Sequence, residues 1–235
     1  MKKRTSIIAN LAIAVVLVGL SIAVFSVDMG RIYTTVAAPV TSGNKSLKNV
    51  SFMLCVEADT DGAAVDGVMN ILALREVSAT FFVTGSWVMK NPQRMRNIQT
   101  LGFEIASHGQ SGGSMKAMKA EQQKKELLDN HALVKGLTGI DMKLFLPPGA
   151  SHNKDMLKVT SALGYTVVLP CCDVESKAAD ASAASIFTKA TEKPQNGHLI
   201  LVCPTQHVVQ ALPSILDFYL NNEFGIVKVS DNIAV

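Results

Sequence analysis

The sequence predicts an α/β protein built on parallel strands. Three observations carry that reading. Apolar runs alternate with longer segments of helical periodicity through residues 49–235, and repeated strand–helix units imply parallel pairing with right-handed crossovers. Some runs are continuously apolar, as in Leu199-Ile200-Leu201-Val202, the pattern of a strand covered on both faces. Glu57, His108, Asp173 and Cys203 all fall at the C-terminal ends of predicted strands, where parallel barrels place their ligands.

Each element has a local reason. Asn49 to Glu57 reads as the first strand. Ala63 to Leu74 reads as a helix, with Val65, Val68, Met69 and Leu72 at helical spacing. Ser78 to Thr84 is a strand rich in β-branched and aromatic residues. Pro92 to Thr100 opens on a helix-start proline and closes at Leu101-Gly102. Phe103 to Ser107 is a short strand, and Lys119 to Thr138 is the longest helix, ended by Gly139. Lys143 to Leu146 is a strand. Asn153 to Leu163 is a helix capped by Asn153 and stopped by Gly164. Thr166 to Cys171 is a strand, Ala181 to Ala190 a helix and Leu199 to Cys203 a strand. Pro204 to Leu220 is a helix and Gly225 to Ser230 the last strand.

The N-terminus has a different composition. Lys2, Lys3 and Arg4 precede an uncharged run from Thr5 to Val27, about the ~20 residues that cross a bilayer. Positive charge ahead of the run places the bulk of the chain outside. A cleaved signal peptide is the competing reading, but its apolar core is normally ~7–15 residues. The expected organisation is a cytoplasmic stub and transmembrane signal-anchor over 1–31, a stalk over 32–48 and one domain over 49–235. The localisation expected is a single-pass membrane protein, largely extracytoplasmic.

Lys and Arg total 22 against 19 Asp and Glu; without Lys2, Lys3 and Arg4 the two signs balance at 19 each. No basic block remains, so nucleic acid is not an expected partner. Cys55, Cys171, Cys172 and Cys203 face an oxidising side, where an even number suggests disulfides. All four lie in apolar strand-like runs, so buried free thiols are the alternative. Adjacent Cys171 and Cys172 cannot bridge each other without strain. No Gly-x-Ser-x-Gly elbow for a serine hydrolase is present.

Six segments in order carry a resemblance. Cys55-Val56-Glu57-Ala58-Asp59 stands where a Thr-Phe-Asp-Asp-Gly strand end would, and Ala79 to Gly85 reads Ala-Thr-Phe-Phe-Val-Thr-Gly. Gly102 to His108, Phe145 to Asn153, Leu163 to Asp173, and Leu199 to Thr205 with Ala211-Leu212-Pro213 complete the set. The chain resembles the NodB-homology polysaccharide deacetylases, carbohydrate esterase family four, from about Asn49 to Val229. The likeness is closest to membrane-anchored, sporulation-type members. It implies closure of the strands into a distorted (β/α) barrel of about seven parallel strands.

The resemblance also implies a chemistry. In the family one Asp and two His bind a divalent metal that activates water, a first Asp is the base and a late His the acid. Glu57 matches the base position; its other reading is a solvent-facing charge. His108 matches one metal histidine; its other reading is a hydrogen-bonded loop residue. Ala58 and Gly112 replace the other two metal ligands. Cys203 stands at the acid position and Leu146 where an arginine orients the base, leaving Asp173 without its partner. Pro147 and Pro148 are expected to form a groove wall, with Gly149 in place of an aromatic.

Three functions follow as expectations. The first is a catalytically impaired deacetylase-like domain, without a bound cofactor, associated with cell-wall or spore-envelope glycan or an envelope protein. The second is an active N-deacetylase with zinc or another divalent metal in a rebuilt site drawing on Glu57, Asp59, Asp61, His108, Cys203 and His207. The third is a purely structural envelope protein. His152 is expected on the surface.

Overall fold

The computed structural model describes residues 38–233. The apolar run Thr5–Val27 and the first part of the expected stalk lie outside them. Among the described residues, no helix is long and apolar enough to cross a membrane.

In chain order the elements are β1 (Asn49–Val56), α1 (Gly62–Leu74), β2 (Thr80–Val83), α2 (Gly85–Lys90), α3 (Pro92–Thr100) and β3 (Glu104–Ser107). Then come α4 (Ala120–Thr138), β4 (Leu144–Phe145), α5 (Lys154–Ala162), β5 (Thr166–Val167) and β6 (Cys172–Asp173). The last are α6 (Ala183–Thr191), β7 (His198–Val202), α7 (Gln206–Asn221), β8 (Gly225–Ile226) and α8 (Val229–Ile233).

The strands form one sheet in the order β5-β4-β3-β2-β1-β7-β6, with β8 also on β1, and every pairing is parallel. The two ends of that path, β5 and β6, are separated in sequence only by Val168 to Cys171. The sheet therefore curls into a distorted, incompletely closed barrel in which the chain itself spans the gap. Val40 lies on the outer edge of β5: its N–H donates to Val167 O at 2.9 Å, and Leu169 N–H donates to Val40 O at 2.8 Å. Gly43 and Asn44 donate to Gly197 O and Asn232 O. Part of the segment expected as stalk is thus hydrogen-bonded to the domain.

Successive side chains on a strand point to opposite faces, and this sorts the core into two layers. Val50, Phe52, Leu54 and Val56 of β1, with Ile200 and Val202 of β7, join the large cluster beneath the helices. Met53 and Cys55, with Phe82, Ala106, Leu144, Leu146, Val168 and Leu199, form a second cluster inside the barrel. Leu201 and Cys203 pack against that inner cluster. The same alternation that buries the inner layer sends Cys55, then Glu57, toward the mouth of the lumen. Val229 of α8 belongs to the inner cluster and closes the other end.

Several expected boundaries change. The last expected strand, Gly225–Ser230, is only Gly225–Ile226, and the chain turns into α8. The expected strand Thr166–Cys171 stops at Val167, and β6 pairs with the opposite end of the sheet. The helix α2 has no counterpart in the sequence reading; it is six residues long, too short to display periodicity, and its start is the cap that Thr84 Oγ1 gives Trp87 N–H. The cysteines are all free, as one of the two readings had it, but only Cys55 is buried; Cys171 is exposed.

Candidate functional site

β1, β3 and β7 deliver the inward-facing residues to one end of the barrel. His108 follows β3 and is 1% exposed. Its Nδ1 lies 2.7 Å from Leu146 O. A carbonyl oxygen only accepts, so Nδ1 carries the proton in that bond. Nε2 is then directed at the other two groups, 3.4 Å from Cys55 Sγ and 3.6 Å from Glu57 Oε1. Ligand atoms of Cys55, Glu57 and His108 all lie within 4.8 Å of one another. The expected shortage of donor atoms at this mouth is therefore corrected: three converge, because Cys55 lies two residues before Glu57 on the same strand face.

The other oxygen of Glu57 has a cation on it. Lys177 Nζ lies 2.5 Å from Glu57 Oε2 and 2.9 Å from Asp59 Oδ1. Lys177 is held over the mouth by its neighbour Ser176. The Ser176 hydroxyl donates to Cys203 O at 2.8 Å and accepts from Cys203 N–H at 2.9 Å. Leu146 is buried in the inner cluster, so the cation beside position 57 comes from the loop after β6 instead.

These neighbours set the ionisation. The His108 contact and then Lys177 lower the Glu57 carboxyl to about 2, against the opposing pull of burial. For Lys177, burial disfavours the charge, but the carboxylates of Glu57 and Asp59 win and raise the ammonium above its ordinary range. The Cys203 thiol, burial and the Glu57 charge hold the Cys55 thiol well above its usual range.

The loop after His108 is held by the start of α2, whose Gly85 and Ser86 N–H groups donate to Gly109 O and Gln110 O, and by one carboxylate. Glu126 Oε2, from α4, accepts from Gln110 N–H at 2.9 Å, Ser111 N–H at 2.8 Å and Ser111 Oγ–H at 3.0 Å. Gly112 in this loop has φ +76°, and a Cβ added there would meet Thr84 Cγ2 at 3.2 Å. The donor set implied by the resemblance does not fit: Ala58 and Gly112 have no ligand atom, and the backbone at 112 disfavours a side chain.

The remaining expected residues are dispersed. Asp173 is exposed, accepts from Glu175 N–H at 2.8 Å, and lines a separate groove of about 350 Å³ with Lys189 and Glu192. Asp61 is the N-cap of α1, accepting from Ala63 N–H and Gln206 Nε2–H. His207 is exposed on the first turn of α7. His152 is half-buried. Of the rebuilt cluster expected, Asp61 caps α1 and His207 is exposed on α7, while Asp59 joins Glu57 through Lys177 and Cys203 packs beside Cys55. Pro147 and Pro148 are buried; they fix the backbone that presents Leu146 O rather than offering a wall. Gly149 is exposed at φ +62° with open space where a side chain would project. A larger groove of about 690 Å³, between α1 and α3, is spanned by the Arg94–Asp66 ion pair and lies away from the strand ends.

The sequence reading missed Cys55 as a donor and Lys177 altogether. For Cys55 the signal existed: period-two alternation puts it on the face of Glu57. For Lys177 none did, because it stands in a polar loop 120 positions from its partner.

A barrel of parallel strands with a carboxylate and a histidine at its C-terminal mouth puts the candidate site where such barrels bind their ligands. The family comparison makes this specific: the polysaccharide deacetylase model matches residues 45–168, and the chain belongs to that family. Among relatives, the chain is 25% identical over 193 residues to the uncharacterized protein YlxY of Bacillus subtilis, covering 82% of this chain and 60% of that one. It is 27% identical over 197 residues to a bifunctional xylanase/deacetylase of Pseudobutyrivibrio xylanivorans, covering 81% and 32%. It is 32% identical over 102 residues to the peptidoglycan-N-acetylmuramic acid deacetylase PdaA of Bacillus subtilis, covering 43% and 39%. The chain thus spans less than two thirds of the length of these relatives. In fold it is similar to BA3943 of Bacillus anthracis, a CE4 family pseudoenzyme, at TM-score 0.80 and 19% identity over 84% of this chain and 71% of that one.

Proposed function

We propose that this polysaccharide deacetylase-like domain binds N-acetylated cell-wall or spore-envelope glycan without efficiently removing its acetyl groups. The carrying observation is the state of Glu57. Its carboxylate is shared between Lys177 and His108 and lowered to about 2, which makes it a weak base for activating water. Ala58 and Gly112 leave the family's metal donors incomplete, and Cys203 is a poorer proton donor near neutrality than the imidazole it replaces.

The likeness to peptidoglycan deacetylases supports a glycan as the ligand class. The exposed turn at Gly149 and the polar rim of Glu57, Asp59 and Lys177 supply hydrogen-bonding groups for a glycan at the mouth. In this reading the apolar run Thr5–Val27 is a single-pass anchor that holds the domain outside the membrane.

Ligand-observed NMR with N-acetylglucosamine oligomers tests the binding half. Saturation transfer to the acetyl methyl groups is expected, weakened when deacetylated oligomers replace them. A folded chain that transfers no saturation to either oligomer would overturn the proposal in favour of a purely structural role.

A further inference from the structure

Two of the family's three metal donors are missing, yet a set built on the third, His108, converges on the same mouth. We propose that Cys55, Glu57 and His108 bind one thiophilic divalent cation, zinc above all, through Sγ, Oε1 and Nε2. The proposal goes beyond the glycan reading and stands or falls separately from it.

Geometry is the first argument. Zinc bonds of 2.0–2.3 Å in a tetrahedron separate neighbouring donors by roughly 3.3–3.6 Å. The observed separations are 3.4 Å for Cys55 Sγ to His108 Nε2 and 3.6 Å for His108 Nε2 to Glu57 Oε1. Orientation is the second. Metal-bound imidazoles are held by a hydrogen bond from their other nitrogen, commonly to a backbone carbonyl. His108 has that bond, Nδ1–H to Leu146 O at 2.7 Å, so Nε2 is the nitrogen aimed at the centre of the triad.

Polarity and partition complete the case. Cys55 is 4% exposed and His108 1%, set against Phe82, Ala106 and Leu146 of the inner cluster. Cys55 ligates as the thiolate, and a cation between it and the Glu57 carboxylate offsets the two charges that the site then holds. Lys177 neutralises only Oε2 of Glu57, leaving Oε1 for the metal. The thiolate selects zinc or cadmium over magnesium or calcium. The fourth position falls to water or to Cys203, which follows the Leu54–Val202 register pair just as Cys55 does. Binding takes Cys55 as the thiolate and His108 through an unprotonated Nε2, so the Cys55 thiol proton and any proton on Nε2 go to solvent while the Lys177 ammonium stays intact. A metal held this way employs Glu57 as ligand and leaves no carboxylate base at that position.

Cobalt(II) titration of the full chain, purified in mild detergent and kept reduced without oxygen, tests this. One equivalent is expected to produce thiolate-to-cobalt charge-transfer absorption and intense four-coordinate visible bands, both bleached by zinc. Cys55→Ser should lose the charge-transfer absorption while its circular dichroism stays native, and Glu57→Gln should weaken the titration with the absorption retained at saturation. No cobalt uptake by the folded chain would overturn the proposal. So would charge-transfer absorption that survives Cys55→Ser and disappears in Cys171→Ser or Cys172→Ser.

Discussion

Lys177 Nζ lies 2.5 Å from Glu57 Oε2, across 120 positions of sequence. An ammonium on a loop thereby sits against the carboxylate that the family's chemistry would use as base. The contact links the β6–α6 connection to the end of β1, and it joins His108 in lowering the Glu57 carboxyl to about 2.

Replacing Lys177 by Met should therefore raise the Glu57 titration midpoint toward the ordinary carboxylate range, read by carboxyl-carbon NMR. Because His108 remains, the recovery is expected to be partial. A midpoint that does not move would break the link between the two residues.

The same shift makes stability depend on pH. A carboxyl whose folded value is lowered stabilises the fold above its unfolded value, near 4.5, and that contribution is lost as pH falls toward 2. With the Glu57 side chain 29% exposed, solvent screening leaves about 1–2 kcal/mol of that contribution. Denaturant unfolding at several pH values should show this loss in the unaltered chain and a smaller loss in Lys177→Met. Parallel pH profiles would refute the assignment.

Glu126 should matter more than an exposed glutamate ordinarily does. Its Oε2 accepts three hydrogen bonds from Gln110 and Ser111. Glu126→Ala is expected to cost about 1–3 kcal/mol, since charge-assisted bonds are lost together. Hydrogen exchange should quicken at the Gln110 and Ser111 amides ahead of the sheet. Unchanged protection there would show that the loop is held by something else.

Most of the fold was legible in the sequence because strand and helix periodicities repeat along the chain. The continuous run at β7 announced a buried parallel strand, and the capping residue Asn153 marks a real helix start. What was not legible depends on contacts distant in sequence. β5 reads as running on to Cys171 and β6 does not read as a strand of its own, since nothing local says that the chain leaves β4 for β7 after Val168. Glu57 and His108 were found by their strand-end positions. Lys177 was not, because an ion pair across the barrel mouth leaves no trace in the composition of either partner's surroundings. Asp173 was expected at the strand-end site without its family partner, and it turns back onto Glu175 N–H.

Position 112 limits any attempt to rebuild the family's donor set. Gly112 adopts φ +76°, and a side chain there meets Thr84 Cγ2. Gly112→His, alone or with Ala58→Asp, should cost about 1–3 kcal/mol through backbone strain. Thermal unfolding checks this against Gly113→His in the same loop, whose glycine has an ordinary φ. Equal melting temperatures for the two variants would contradict the strain argument.

Acetate release from N-acetylglucosamine oligomers, with zinc or cobalt supplied in excess to the unaltered chain, reaches the central claim most directly. The account predicts release no faster than in protein-free controls. Protein-dependent release that disappears in Glu57→Gln would contradict it, because it would mean that Glu57 serves as a working base despite Lys177.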